Sequence, residues 1–169
     1  MVKLSIIGIL ANKKQADDIK MEIEKHNINA EVININYVSI ENILKIKFDI
    51  IVIQDSPDKL NEKQKYLEQV LNNCKYLLLN TDISINKSIL NNINIKILTY
   101  GLKTKATVTV SSLEDKKVVV SIQRGFKSFN GNIIEQQEIP TELVKKGTIN
   151  LYNCLIKICI IYIITTKNG

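Results

Sequence analysis

LSIIGIL, residues 4–10, is an unbroken apolar run, and similar runs occur at DIIVI (49–53) and YLLL (76–79). A continuous apolar run is typical of a parallel strand that is covered on both faces. Between the first two runs, residues 12–25 carry Ala16, Ile19 and Ile23 at helical spacing among lysines and glutamates. This alternation predicts an α/β fold, in which helices flank a mostly parallel, Rossmann-like sheet.

Weaker patterns complete the prediction. Further strands are expected at 31–35 and 95–99, and helical segments at 40–46, 60–71 and 85–90. Beyond Gly101, residues 106–110 and 118–122 alternate like antiparallel strands, 128–132 form a hairpin turn, and a third strand runs from 133 to 139 and ends at Pro140. We therefore expect one domain over 1–169, with a parallel part (1–104), an antiparallel extension (105–140) and a closing helix (147–166).

Composition places the chain among globular proteins. Of its 169 residues 45% are hydrophobic, which excludes intrinsic disorder. Ile, Lys and Asn, all with AT-rich codons, supply 31, 22 and 19 residues, which indicates a low-GC bacterial genome.

The net charge of +6 is concentrated in residues 83–169, which carry 12 basic and 5 acidic residues. That excess predicts either an anionic partner or a solvated lysine surface inflated by codon usage. Arg124 is the only arginine, which argues against sequence-specific reading of nucleic acid.

The cysteines and the apolar carboxyl-terminal segment bear on the compartment. Cys74, Cys154 and Cys159 are odd in number, lack a CxxC pair and lie in apolar surroundings, so buried reduced thiols in a cytoplasmic protein are predicted. Met1 leads directly into a core strand, so no signal peptide is expected. Residues 151–164 are too few for a typical membrane span and include Lys157, which predicts a buried helix.

Ligands of such sheets bind at the carboxyl ends of the strands, where three candidates occur. Lys14 stands at a helix start and would meet an anion there, or it is a solvated lysine, because its loop has one glycine and no hydroxyl. Asn80 and Asp82 would read a base edge and a ribose hydroxyl, or would cap the next helix.

Asp55 and His26 bear on two other classes of site, a phosphoacceptor and a metal or catalytic histidine site. Asp55 stands where receiver domains carry their phosphoacceptor, which keeps a receiver-like domain as an alternative. The first strand ends without the acidic pair that receivers use for Mg²⁺, so Asp55 is otherwise a turn cap. His26 is the only histidine, which argues against a zinc site or a histidine-based triad.

Four short segments resemble, in order, the ATP-binding central domain of Mur ligases, the enzymes that build the peptidoglycan peptide. They are YLLLNTD (76–82), ILTYGL (97–102), KATVTVSSLE (105–114) and GTINLYN (147–153), and the resemblance is best over 76–165. In the family these positions hold an Asn-x-Asp strand end, a Tyr/Phe-Gly-Leu strand end, an antiparallel extension and a Gly-x-x-Asn-x-x-Asn helix start.

The first half departs from the family pattern. GILANKKQ (8–15) replaces the Gly-Thr-Asn-Gly-Lys-Thr phosphate loop, retaining only Asn12 and Lys14. Gln54-Asp55 and Pro57-Asp58 stand in place of a Thr-Asn pair and an Asp-His-Leu-Asp segment, and the family's metal-binding Glu and His have no counterparts. The resemblance therefore implies a degenerate, truncated and non-catalytic relative, with no catalytic residue and no metal.

What the resemblance implies about ligands is narrower. ATP, another nucleotide or a UDP-linked cell-wall precursor would bind at Lys14, Asn80 and Asp82. The alternatives are a ligand-free protein-interaction or scaffolding module in envelope synthesis or sporulation, and a residual ligase that acts with separate subunits. An open nest of N–H groups at residues 8–16 would favour anion binding, and a loop filled by its own side chains would favour scaffolding.

Overall fold

The computed structural model describes residues 3–35, 39–57 and 63–164. Its contacts divide the chain into two compact units, residues 1–97 and 98–169. The α/β fold class is confirmed: the sheet is mostly parallel, helices flank it, and a small antiparallel part follows.

The first unit alternates strands and helices. Its elements are β1 (Ser5–Leu10), α1 (Lys13–Lys25), β2 (Ala30–Asn34), a short 3₁₀ helix (Ile40–Ile43), β3 (Ile50–Ile53), α2 (Gln64–Asn72), β4 (Tyr76–Asn80) and α3 (Lys87–Asn91). The strands lie in the order β2-β1-β3-β4, and every pairing is parallel. The predicted start of the second helix, residues 60–62, lies outside the described residues.

The apolar runs form the core of this unit. All four residues of β3 and all five of β4 are buried, as expected for strands that are covered on both faces. Gly8 lies within β1, and there is no room for a side chain at this position: an added Cβ would stand 2.8 Å from Ile35 Cδ1 and 2.9 Å from Phe48 Cε1. The glycine therefore packs against the core and is not part of a flexible loop.

The second unit is built mainly from antiparallel strands. Its elements are β5 (Lys96–Tyr100, which begins just before the unit), β6 (Val108–Glu114), β7 (Lys117–Ile122), β8 (Phe126–Lys127), β9 (Ile133–Ile134), β10 (Gln137–Glu142) and α4 (Thr148–Ile164). Here the strand order is β5-β6-β7-β10, with β5 and β6 parallel and the other pairs antiparallel. Strands β8 and β9 pair with each other as the predicted hairpin around 128–132.

One predicted strand was wrong. Residues 133–139 do not form a single strand that stops at Pro140; the segment divides into β9 and β10, and Pro140 lies inside β10. The Leu143 N–H donates to the Lys116 carbonyl at 2.8 Å, so alternate residues of β10 direct their nitrogens toward β7. The nitrogen of Pro140 belongs to the outward set, where the missing N–H costs no ladder bond.

Helix α4 is buried along most of its length. Residues 153–160 are all buried, including Lys157, which is only 8% exposed. The prediction of a buried helix is confirmed, although residues 165 and 166 lie outside the described part. Among the described residues no helix is long and apolar enough to cross a membrane.

The three cysteines are buried and not disulfide-bonded, as predicted. Burial raises the pKa of Cys74 to about 12, against weaker opposing hydrogen bonds from the backbone. Burial likewise raises the pKa of Cys159 far above its usual range. Both thiols are therefore protonated and unreactive at neutral pH.

Candidate ligand site at the carboxyl edge of the parallel sheet

The strand order of the first unit creates a switch point. From β1 the chain proceeds to β2 on one side and to β3 and then β4 on the other. In open parallel sheets a crevice forms at such a point, outside the carboxyl ends of the strands. The carboxyl ends of β1, β3 and β4 lie at this edge. The candidate residues Lys14, Asn80 and Asp82 follow or end these strands.

The start of α1 is filled by its own side chains. Asn12 caps the helix, since its Oδ1 accepts a hydrogen bond of 2.8 Å from the Gln15 N–H. The Lys14 ammonium lies 3.0 Å from the Asp18 carboxylate one helical turn along, and Lys13 pairs in the same way with Asp17 at 2.9 Å. One N–H that an anion would use is thus already bonded, and both lysines are paired to carboxylates.

Asn80 is the last residue of β4, and Asp82 lies in the turn that follows. The buried Asn80 side chain donates to Gln54 Oε1 at 3.2 Å and accepts the Asp82 N–H at 2.8 Å. Asn80 therefore links the ends of β3 and β4 and holds the turn. Asp82 is half-buried and Asn80 is 1% exposed, so Asp82 is the more accessible of the two.

Neighbouring groups at this edge are also tied to the backbone. Asn34, at the end of β2, donates to the carbonyls of Ile9 and Ala11 at 3.2 and 3.0 Å. Ser56 donates to the Ser84 carbonyl at 2.7 Å, which joins the segments after β3 and β4. These bonds fix the chain on both sides of the switch point.

Asp55 is the second residue after β3 and is half-buried, with its N–H bonded to the Leu10 carbonyl at 3.0 Å. The order β2-β1-β3-β4 is one that receiver and flavodoxin-like domains share. The chain after β1 reads Ala11-Asn12, which supplies no acidic pair. Among the described residues no three His, Cys, Asp or Glu side chains come together as a metal site.

A charged cluster at the opposite edge was not anticipated from the sequence. Asp49 precedes β3, accepts the Ile6 N–H at 2.8 Å, and has the ammonium groups of Lys75 and Lys3 at 3.0 and 3.8 Å. Burial alone would raise the pKa of this carboxyl, but the Ile6 N–H and the two lysines outweigh burial and lower it. The cluster anchors the start of β1 to β3.

Gln54, Asn34 and Asp49 were therefore missed as organisers of the fold. A retrospective signal exists for Asp49 and Gln54, which stand directly before and after the fully apolar run 50–53; Asn34 lies in a mixed segment and has no such signal. A group in that position is buried by its strand and needs a partner. The sequence alone does not identify the partner.

No family model matches the chain, and no curated protein matches it. Among solved structures, the chain is similar to the Trp repressor binding protein from Bacillus subtilis, at 12% identity and a TM-score of 0.32, over 59% of this chain and 84% of that one.

Proposed function

We propose that this chain is a non-catalytic, Mur-ligase-like binding module that recognises a nucleoside or a nucleotide-linked cell-wall precursor at the switch point between β1 and β3. The observation that carries this proposal is the Gln54–Asn80–Asp82 arrangement: the buried amides of Gln54 and Asn80 are hydrogen-bonded, and Asn80 Oδ1 holds the N–H of the half-buried Asp82, two residues after β4. A carboxylate in this place suits the hydroxyl groups of a ribose.

The same edge supports recognition of hydroxyls better than recognition of phosphates. Asp55 and Asp82 add negative charge, whereas Lys14 is paired with Asp18 and Asn12 occupies the helix start. Catalysis by phosphoryl or acyl-phosphate transfer needs donors arranged around the transferred group. The module would then act by binding, with the base and sugar supplying most of the affinity.

Calorimetry with adenosine, uridine, ATP, ADP and a UDP-linked precursor tests this function. We expect a nucleoside to bind within about tenfold of its triphosphate, since no cradle for phosphate contributes. Asp82→Asn should weaken binding at least tenfold, and Asp115→Asn, an exposed carboxylate in the second unit, serves as the matched control. Absence of binding by every ligand at millimolar concentration would refute the proposal.

A second function is favoured by one specific observation. The filled helix start at residues 12–15 is what a scaffolding module would have, because such a module keeps the fold and needs no anion site. A protein partner in envelope synthesis or sporulation is then the ligand. If no nucleotide binds, cross-linking in a low-GC bacterium followed by mass spectrometry becomes the deciding measurement, and recovery of only ribosomes and chaperones would count against this function.

A further inference from the structure

A pocket of about 380 Å³ lies within the second unit, between α4, the β8–β9 hairpin and β10. Its wall contains five isoleucines: Ile133 and Ile134 of β9, Ile139 of β10, and Ile158 and Ile161 of α4. Two polar residues, Asn132 and Tyr162, complete the lining. Apolar walls with a few polar groups are the usual composition of a small-molecule site.

Hydrogen bonds hold the elements around this pocket together. The Phe129 N–H donates to the Ile163 carbonyl at 2.9 Å and so joins the hairpin to the end of α4. The Tyr162 hydroxyl lies 3.4 Å from Gln137 Oε1 and joins α4 to the start of β10. The pocket is therefore framed by bonded segments, which favours a preformed shape over a chance gap between side chains.

The surroundings favour a small ligand over a second copy of the chain. Ile133 is 68% exposed, whereas Ile134 and Ile158 are buried. The hairpin residues around Ile133 are polar, as Asn130 to Asn132 precede it and Glu135 and Gln136 follow Ile134. A stable protein interface needs roughly 1,000 Å² of complementary surface, and one exposed isoleucine in a polar setting does not supply it.

The walls indicate what the ligand is made of. A dry cavity of about 150 Å³ accommodates the six carbons of benzene, so 380 Å³ corresponds to roughly ten to fifteen carbons. The lining is aliphatic apart from Asn132 and Tyr162, and a mainly aliphatic wall suits a flexible chain better than a stack of rings.

The basic residues of the second unit indicate the chemistry of the ligand's polar end. Lys127 is paired in register with Ile133, and directly opposed residues of an antiparallel pair project to the same face. The Lys127 side chain therefore leaves the hairpin on the face that carries the exposed isoleucine. Residues 98–169 hold ten basic and five acidic residues, so the unit that contains the pocket has a net positive formal charge.

We propose that this pocket binds a single-chain aliphatic carboxylate of about ten to fourteen carbons, with the chain between the isoleucines and the carboxylate toward Lys127. The site belongs to the second unit and is independent of the function proposed above.

Titration calorimetry of the full chain with octanoate, decanoate, dodecanoate, tetradecanoate and hexadecanoate, each below its micelle concentration, tests the chain length. Each buried methylene adds about fourfold in affinity, so two more carbons should raise affinity about fifteenfold until the pocket is full. A plateau between dodecanoate and tetradecanoate is expected. Affinity that is undetectable throughout, or that rises without a plateau to hexadecanoate, would overturn the pocket assignment.

Variants separate the pocket from general surface hydrophobicity. Ile133→Asp changes an exposed side chain and should abolish binding of dodecanoate, whereas Ile149→Asp changes a comparably exposed isoleucine outside the lining and should leave it intact. Ile161→Phe should move the plateau to shorter chains because it fills part of the pocket. Equal losses in the Ile133 and Ile149 variants would contradict the proposal.

The headgroup is tested with matched ligands. Dodecanoate should bind about tenfold more tightly than dodecanol, and Lys127→Gln should remove most of that difference without weakening dodecanol. Lys117→Gln, an exposed lysine on β7, is the control and should change neither ligand. Equal affinity for dodecanoate and dodecanol in the unmodified chain would overturn the assignment of the carboxylate to Lys127.

Discussion

Asp49 offers the most direct test of how the first unit is held together. Its carboxylate accepts the Ile6 N–H, and its side chain is only 10% exposed, while Lys75 is 57% and Lys3 74% exposed. A hydrogen bond to a charged group contributes about 1.5–3 kcal/mol, and ion pairs with exposed partners contribute well under 1 kcal/mol each. Asp49→Ala should therefore lower the free energy of unfolding by about 2–4 kcal/mol. Asp49→Asn keeps an acceptor for Ile6 and should cost about half of that.

The pH dependence provides an independent check. In the folded chain the pKa of Asp49 is lower than in the unfolded chain, where an aspartate has a pKa of about 3.9. The stability due to this lowered pKa is fully present above the unfolded pKa and is lost as the pH falls through the folded pKa.

Urea denaturation followed by far-UV circular dichroism, from pH 7 down to pH 3, measures both effects. The unmodified chain should lose more stability below pH 4 than Asp49→Asn does. Asp115→Asn is the control, because this exposed acid sits in a turn at φ +57°, a conformation that asparagine accepts, and pairs with Lys146. If Asp49→Asn and the unmodified chain show the same pH profile, the assigned role of Asp49 is wrong.

Three other predictions follow from buried groups in the first unit. Gly8→Ala should lower the free energy of unfolding by about 1–3 kcal/mol in the same urea experiment, because the new methyl would overlap Ile35 and Phe48. An unchanged urea midpoint would contradict that packing. Asn80→Ala should lower the free energy of unfolding by about 1–3 kcal/mol without any ligand present, since it deprives the buried Gln54 of a donor. A variant of unchanged stability that loses only ligand binding would show that Asn80 contacts the ligand and does not position the turn. Cys74 should resist alkylation at pH 8 until the chain is unfolded by urea, as a buried thiol with a pKa of about 12 carries little thiolate; modification of the native chain within minutes would refute this.

The strands of the parallel sheet and the buried helix were predictable because the spacing of apolar residues along the chain indicates which faces are buried. The runs at 4–10, 49–53 and 76–79 each became a strand, and the helix that contains Lys157 was correctly assigned to the interior. The prediction for 133–140 was wrong because a proline does not always end a strand. Whether a proline is tolerated depends on which way its nitrogen faces, and the pairing partner decides that.

The candidate site was only partly accessible to sequence reasoning. The order of strands and helices locates a ligand edge, and so Lys14, Asn80 and Asp82 could be named. The direction of the Asn80 side chain depends on a contact between distant residues, because it donates to Gln54, 26 positions earlier. The pairing of Lys14 with Asp18 is local, one helical turn along, but it competes with an anion that the sequence alone does not exclude. The pocket beside Ile133 has no local sequence signal at all, because three separate elements create it.

Pro140 has a consequence for how this protein can associate. Strand β10 is the terminal strand on its side of the sheet, with exposed Glu138 and Glu142 on either side of the proline. An incoming extended segment would find a backbone without a donor at its centre and a carboxylate two residues away in each direction. Growth of the sheet from molecule to molecule is therefore disfavoured at this border, and side chains are the better groups for a partner to contact there.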